Sequence, residues 1–136
     1  MESDRRLTAI QRAFEADSYA AAQGFHLDGV SRDDVVVSMT VASNHLNFHG
    51  TTHGGVVFSL ADCAFSLASN AHGAAAVAID MHLALTAASR LGDSLIARAV
   101  EMTRSRALAT YRVDVVRGDG RVIALFTGTV FIQSPD

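Results

Sequence analysis

Asn47-Phe48-His49-Gly50-Thr51-Thr52-His53-Gly54-Gly55 is a polar, glycine-rich loop. It opens directly into Val56-Val57-Phe58-Ser59-Leu60-Ala61-Asp62-Cys63-Ala64-Phe65-Ser66-Leu67-Ala68. At about 100° per residue, Val57, Leu60, Ala61, Ala64, Leu67, Ala68 and Ala71 gather on one apolar stripe. Gly55, Ser59, Asp62, Ser66 and Ser69 lie nearly opposite. The pattern predicts a helix from Gly54 to about Asn70, with Gly73 closing it as a glycine C-cap would. Its alanine-rich stripe suits close packing under a sheet. Asp62 is the only charged residue between Thr51 and Ile79. A lone carboxylate in such apolar surroundings is either costly or useful.

Outward from this helix, the upstream sequence predicts one amphipathic helix over 4–22, stopped at Gly24, and strands at 24–30 and 33–42. Ser31-Arg32-Asp33-Asp34 forms their turn. Downstream, strands are expected at about 75–88, 93–103, 106–117 and 121–132, as a meander whose last join is the hairpin signal Gly118-Asp119-Gly120. Six strands and one central apolar helix make an α+β class, two-layer domain spanning 1–136. The sheet must curl around the helix to bury its stripe. Edge strands and a bare sheet face then invite dimerisation.

The 136 residues suffice for a sizeable core, and 49% of them are apolar, which excludes a disordered chain. A net charge of −3 gives no reason to expect nucleic acid or an anionic membrane. All eleven basic residues are arginine, seven of them after residue 89. The single cysteine, Cys63, excludes an internal disulfide and fits a reducing compartment. With no signal peptide and no apolar run of membrane-spanning length, a cytoplasmic location is expected.

Glycines at a helix start present unpaired N–H groups at the positive end of the helix dipole, a site for an oxygen gaining negative charge. Asp62 lies eight residues beyond Gly54, roughly 12 Å along the axis. It cannot easily serve a carbonyl held at its own helix N-terminus, so the spacing points to a site shared between two protomers. His49 and His53 are four apart but lack the companions of a zinc site, and no metal is expected. A histidine here orients the loop. Cys63 reads as a small buried residue. Gly92-Asp93-Ser94-Leu95 spells a lipase signature without a later histidine to complete a triad. Arg117-Gly118-Asp119 is simply a hairpin turn.

Leu46-Asn47-Phe48-His49-Gly50-Thr51-Thr52-His53-Gly54-Gly55, with Phe58-Ser59-Leu60-Ala61-Asp62 and Ala68-Ser69-Asn70, resembles the hotdog-fold thioesterases, PaaI-type (phenylacetic acid degradation) branch. The resemblance implies a helix wrapped by an antiparallel sheet, assembled into homodimers and usually homotetramers. It implies acyl-CoA as substrate and no cofactor, coenzyme A being part of the substrate. Asp62 takes the role of base or nucleophile, the N–H at Gly54 (with Gly55 and His53 beside it) polarises the carbonyl, and Asn47 positions water or carboxylate. His49, Phe58, Phe65 and Ser66 are candidates for the acyl side. Arg90, Arg104 and Arg106 are candidates for the CoA phosphates. Where many relatives carry an Arg-Pro-type break, this chain runs Leu85-Thr86-Ala87-Ala88-Ser89; Ala78 stands where some carry a serine or threonine. Two other activities share such a fold. A hydratase of enoyl or hydroxyacyl thioesters would pair His53 with Asp62, and a non-catalytic acyl-CoA-binding sensor would need an effector module for which no residues are spare here.

Overall fold

A computed structural model describes residues 2–31 and 34–133. The chain runs α1 (Glu2–Glu15), α2 (Ser18–Gln23), β1 (His26–Val30), β2 (Asp34–Thr40), a 3-10 turn (Ser43–His45), α3 (Gly54–Ser69), β3 (Ala76–Leu85), β4 (Ser94–Arg104), β5 (Leu108–Arg117) and β6 (Val122–Ile132). One antiparallel six-stranded sheet, ordered β1-β2-β4-β5-β6-β3, curls around α3. This is the hotdog arrangement.

The expected stripe of α3 is the buried one: Leu60, Ala61 and Ala64 are fully buried and Val57, Leu67 and Ala68 nearly so. Across from them the central strands present small residues, Ala97, Ala99, Ala109 and Ala124, all buried. Small residues on both layers bring helix and sheet close, which suits the density of a well-packed interior. Burial of Cys63, reinforced by the charges of Asp17 and Asp62, pushes its thiol up to about 12. It is an inert core residue.

Four local expectations differ from the structure. The N-terminal helix is two helices, because Asp17 takes an extended backbone and its carboxylate accepts the Ala20 N–H at 3.0 Å, capping α2. A capping aspartate competes with helix continuation. Helix α3 ends at Ser69 with Asn70 as its cap, not at Gly73. The Asn70 side chain donates to the Ser66 and Ala76 carbonyls and accepts the Ala76 N–H, so it both stops the helix and starts β3. Gly73, with φ of +90°, serves the turn between them. The last four strands are not one meander: β3 pairs with β6 at the sheet edge, while β4 pairs with β2. Pairing β2 with β4 sets Val35, Val37 and Met39 beside Ala99, Ala97 and Leu95, one continuous buried face. The β4-β5-β6 hairpins form as expected, the last through Gly120 at φ of +91°. Of the turn expected between β1 and β2, Arg32 and Asp33 lie outside the described residues; the flanking Ser31 N–H donates to the Asp34 carbonyl at 2.9 Å.

The fourth difference concerns Phe65. Its ring is fully buried between Tyr111 and Phe126, with centroids 5.8 and 5.4 Å away. Gly128 makes that possible: a Cβ there would sit 2.7 Å from Phe65 Cζ and 2.9 Å from Phe126 Cε1. Phe65 is therefore a core residue with no surface for an acyl group. Gly128→Ala is expected to destabilise the fold by roughly 1–3 kcal/mol, the cost of overpacking a tight core. Urea denaturation measures it, and an unchanged midpoint would contradict this packing.

Candidate active site at the start of the central helix

The loop before α3 is built around Asn47. Its Oδ1 accepts the N–H groups of His49 (2.9 Å) and Thr51 (3.1 Å), and its Nδ2 donates to Thr51 Oγ1 at 3.1 Å. The backbone closes the same loop through Asn47 N–H to the Thr51 carbonyl, with Gly50 at φ of +81° making the reversal. Within one chain Asn47 thus organises the loop. Thr52 then docks it on the segment after β3: Thr52 N–H donates to the Ser89 carbonyl, and Ser89 Oγ donates to Thr52 Oγ1 at 2.6 Å.

His45, which the sequence pattern does not single out, carries the loop's base. It is almost fully buried. Its Nδ1 accepts the Ala42 N–H at 2.9 Å, and its Nε2 donates to the Gln23 carbonyl at 3.0 Å. Its own carbonyl accepts the His53 N–H. One residue, through its ring and its carbonyl, therefore ties the end of α2 to the approach of α3. Its only sequence signal is a histidine two residues before the motif asparagine.

His53 is the N-cap of α3. Its Nδ1 accepts the Gly55 N–H at 2.9 Å, which leaves the proton of the neutral ring on Nε2. Val56 and Val57 N–H groups turn back to the His53 carbonyl. Of the four N–H groups that a helix start leaves open, only that of Gly54 has no acceptor among the described residues. The sequence pairs Gly54 with Gly55 as donors; the structure separates them, because the His53 ring has already taken Gly55.

Gly54 lines a cleft of about 380 Å³ with Asn47, Val57, Leu85 and residues 86–89. Leu85 Cδ1 would lie 3.0 Å from a Cβ at Gly54, so the glycine lets β3 and α3 close on each other here.

Asp62 sits two turns along the same regular helix, half-buried. Burial raises its carboxyl above the ordinary value of 3.8, with the Ser66 hydroxyl opposing and the Asp17 charge adding to the rise. Ser66 Oγ reaches it at 3.4 Å, a long contact. Ser59 is not its partner: Ser59 Oγ donates to the Gly55 carbonyl at 2.8 Å and meets Tyr19 Oη at 3.0 Å. Gly54 and Asp62 thus stand eight residues apart on one straight element, about 12 Å. In one chain they cannot meet on one carbonyl.

The remaining candidates are scattered. Phe58 is half-buried, its ring edge-on to Phe126 at 5.7 Å. His49 is exposed and lies against the fully projecting Phe48. Arg104 is engaged by Glu101 (2.8 Å) and by Tyr111 Oη (3.2 Å). Arg106 is exposed on the turn beyond β4, whereas Arg90 is exposed before β4 and adjoins the cleft residue Ser89. At about 3.3 Å per residue the length of β4 puts Arg90 roughly 30 Å from Arg104 and Arg106. One chain cannot bring all three to one phosphate cluster. Among the described residues no three His, Cys, Asp or Glu side chains are grouped to hold a metal ion. Nor is any helix among them long and apolar enough to cross a membrane.

Known proteins share this fold. The Thioesterase superfamily model matches residues 49–124, from the loop through the first part of β6. The acyl-coenzyme A thioesterase PaaI of Escherichia coli is 36% identical over 115 residues, covering 85% of this chain and 82% of that one. The structure of that E. coli protein, from the phenylacetic acid degradation operon, superposes with a TM-score of 0.94 over 98% of this chain and 97% of its own. The N33D variant of the phenylacetic acid degradation protein PaaI from Thermus thermophilus is 44% identical, with a TM-score of 0.81 over 85% and 98% of the two chains. A hypothetical thioesterase protein from Streptococcus pneumoniae, solved with coenzyme A, is 25% identical with a TM-score of 0.84 over 91% and 97%. With more than half its length matched by the family model and its whole sheet and helix shared with PaaI, this chain belongs to the thioesterase superfamily, as a PaaI-type thioester hydrolase of hotdog fold.

Proposed function

We propose that this chain hydrolyses an aryl- or medium-chain acyl-CoA, phenylacetyl-CoA-like in size, to the free acid and CoA. The observation that carries the proposal is the division of labour on α3: one uncommitted N–H at Gly54, and one half-buried carboxylate, Asp62, with raised affinity for a proton. The Gly54 N–H donates to the thioester oxygen as negative charge gathers on it. Asp62 either attacks the carbonyl carbon or removes a proton from the water that does; either step places an oxyanion at Gly54. The C–S bond then breaks and CoA leaves as a thiolate. If Asp62 acted as base, the acid is formed directly and the thiolate takes up the proton Asp62 removed. If Asp62 attacked, a water then hydrolyses the Asp62–acyl anhydride to the free acid. A carboxylate whose burial raises its pKa is a stronger base than an exposed one, which suits it to this task.

The two groups come together if α3 of a second copy lies antiparallel alongside. The sheet offers the surface for that. β3 is an edge strand whose side chains Val77 (49% exposed), Ile79 (60%) and Met81 (41%) are apolar and uncovered. An exposed apolar edge is a template for pairing with another chain. A β3-to-β3 pairing covers it and brings two clefts to one interface, with homodimers as the working unit and homotetramers as their expected assembly. CoA enters as part of the substrate and no separate cofactor takes part. Arg90, beside the cleft, is the arginine best placed for its phosphates; Arg104 and Arg106 would have to come from another copy.

A panel of CoA thioesters assayed with a thiol reagent tests the reading. Phenylacetyl-CoA and medium-chain acyl-CoA are expected to release free thiol in proportion to enzyme. A folded protein that turns over no member of the panel would overturn it.

A further inference from the structure

Helix α2 does not simply decorate the sheet; its first turn lies against the face of α3 that carries Asp62. A side-chain hydrogen bond places it there. Tyr19 Oη meets Ser59 Oγ at 3.0 Å, although the two residues are forty apart in sequence. The carboxylate of Asp17, which caps α2, is close enough for its charge to act on both Asp62 and Cys63. Ser59 and Asp62 are three residues apart on α3, neighbours on one helical face and about 4.5 Å apart along the axis.

The bond to Ser59 fixes how the phenol sits. Ser59 Oγ spends its proton on the Gly55 carbonyl, so it accepts from Tyr19, whose hydroxyl is thereby committed. The rest of the side chain is not: Tyr19 is 52% exposed, a large apolar ring held at its tip and open along its side. A ring anchored in this way loses little freedom when a ligand packs against it.

We propose that Tyr19 is a specificity-determining residue whose ring, anchored on Ser59, walls the acyl subsite beside Asp62 and limits how long an acyl group the site accepts. The inference rests on the acyl-CoA reading above and names what decides its acyl range. An acyl chain that runs from the carbonyl along the polar face of α3 towards the helix start meets the Tyr19 ring within about one turn of Asp62. A compact aryl group fits against that ring; an extended chain has to displace it.

The test is a ratio: kcat/KM for decanoyl-CoA over kcat/KM for phenylacetyl-CoA. A methylene or two in an apolar pocket changes such a ratio by roughly 10-fold or more. Tyr19→Ala is expected to raise it about 10-fold, chiefly through the KM of the longer substrate. Tyr19→Trp, with a larger ring, should lower it. Tyr19→Phe, which keeps the ring but frees it from Ser59, should raise the ratio by less than Tyr19→Ala does. Because the side chain is half exposed, all three variants should fold, and a thermal melt verifies this. If Ala and Trp change both substrates by the same factor, Tyr19 only fastens α2 and the proposal is wrong. If the folded wild type releases no thiol from either substrate, the acyl-CoA reading itself fails and takes this inference with it.

Discussion

Asp62→Asn should lower kcat by roughly 10²–10⁴-fold while leaving the protein folded and, at neutral pH, more stable than wild type. The two halves of this expectation have one cause. Burial raises the Asp62 carboxyl above 3.8 because the ionised form loses water and gains only the long 3.4 Å contact from Ser66. A folded-state pKa above the unfolded one means that the ionised carboxylate costs stability at every pH above the folded value. The cost fades as pH falls through the window between the two values and is gone below the unfolded one. Asparagine keeps the size and carries no charge, so it escapes the cost. The melting temperature of the variant should therefore exceed that of wild type at neutral pH, and the two should converge in acid. Activity runs the other way: the ionised carboxylate is the working form, so the wild-type rate should fall as pH drops through the raised pKa. Parallel melts and pH–rate profiles read both. A variant that keeps its rate, or that is no more stable at pH 7 than at pH 3 relative to wild type, contradicts this account of Asp62.

Much of this was legible in the sequence because it depends on periodicity. The apolar stripe of α3, the strand positions and the hairpin at Gly118-Asp119-Gly120 are set by residues near one another in the chain. What escaped depends on which of several eligible partners wins. Nothing local says that β3 crosses to pair with β6, since its alternation suits either neighbour; the choice follows from β2 and β4 joining their buried faces. Asp17 and Asn70 end one helix and begin the next element because their side chains find backbone partners. A helical wheel treats them as ordinary polar positions. The motif names His53, Gly54 and Gly55 together, but only the fold shows the imidazole capturing Gly55 and leaving Gly54 open. Phe65 misled for a related reason. The buried arc of α3 is wider than its aliphatic stripe, because Gly128 vacates space for a ring. The Tyr19–Ser59 contact joins two segments that no pattern connects.

Two inactive variants co-expressed so that they assort at random into dimers should recover up to about a quarter of wild-type activity. One parent is Asp62→Asn. The other is Gly54→Pro, chosen because the structure shows a backbone that tolerates it. Gly54 is the first residue of α3, where proline is favoured, and the preceding His53 has φ of −61° and ψ of +131°, the extended geometry that proline asks of its predecessor. The substitution removes the one N–H that no acceptor among the described residues holds. Leu85 Cδ1, 3.0 Å from the new Cβ, is the tip of an exposed side chain and can turn aside. Each parent alone carries one defect in every site. In a mixed two-fold dimer whose sites each take Gly54 from one protomer and Asp62 from the other, one site collects both defects and the other collects none. Random pairing makes about half the dimers mixed, and half the sites in those intact. Co-expression with two affinity tags isolates the mixed species, which should then show about half of wild-type turnover per dimer. If the tagged hetero-dimers form and stay as inactive as their parents, the donor and the carboxylate act within one chain. The roughly 12 Å between them along α3 leaves no room for that without bending a helix that is regular from Gly54 to Ser69.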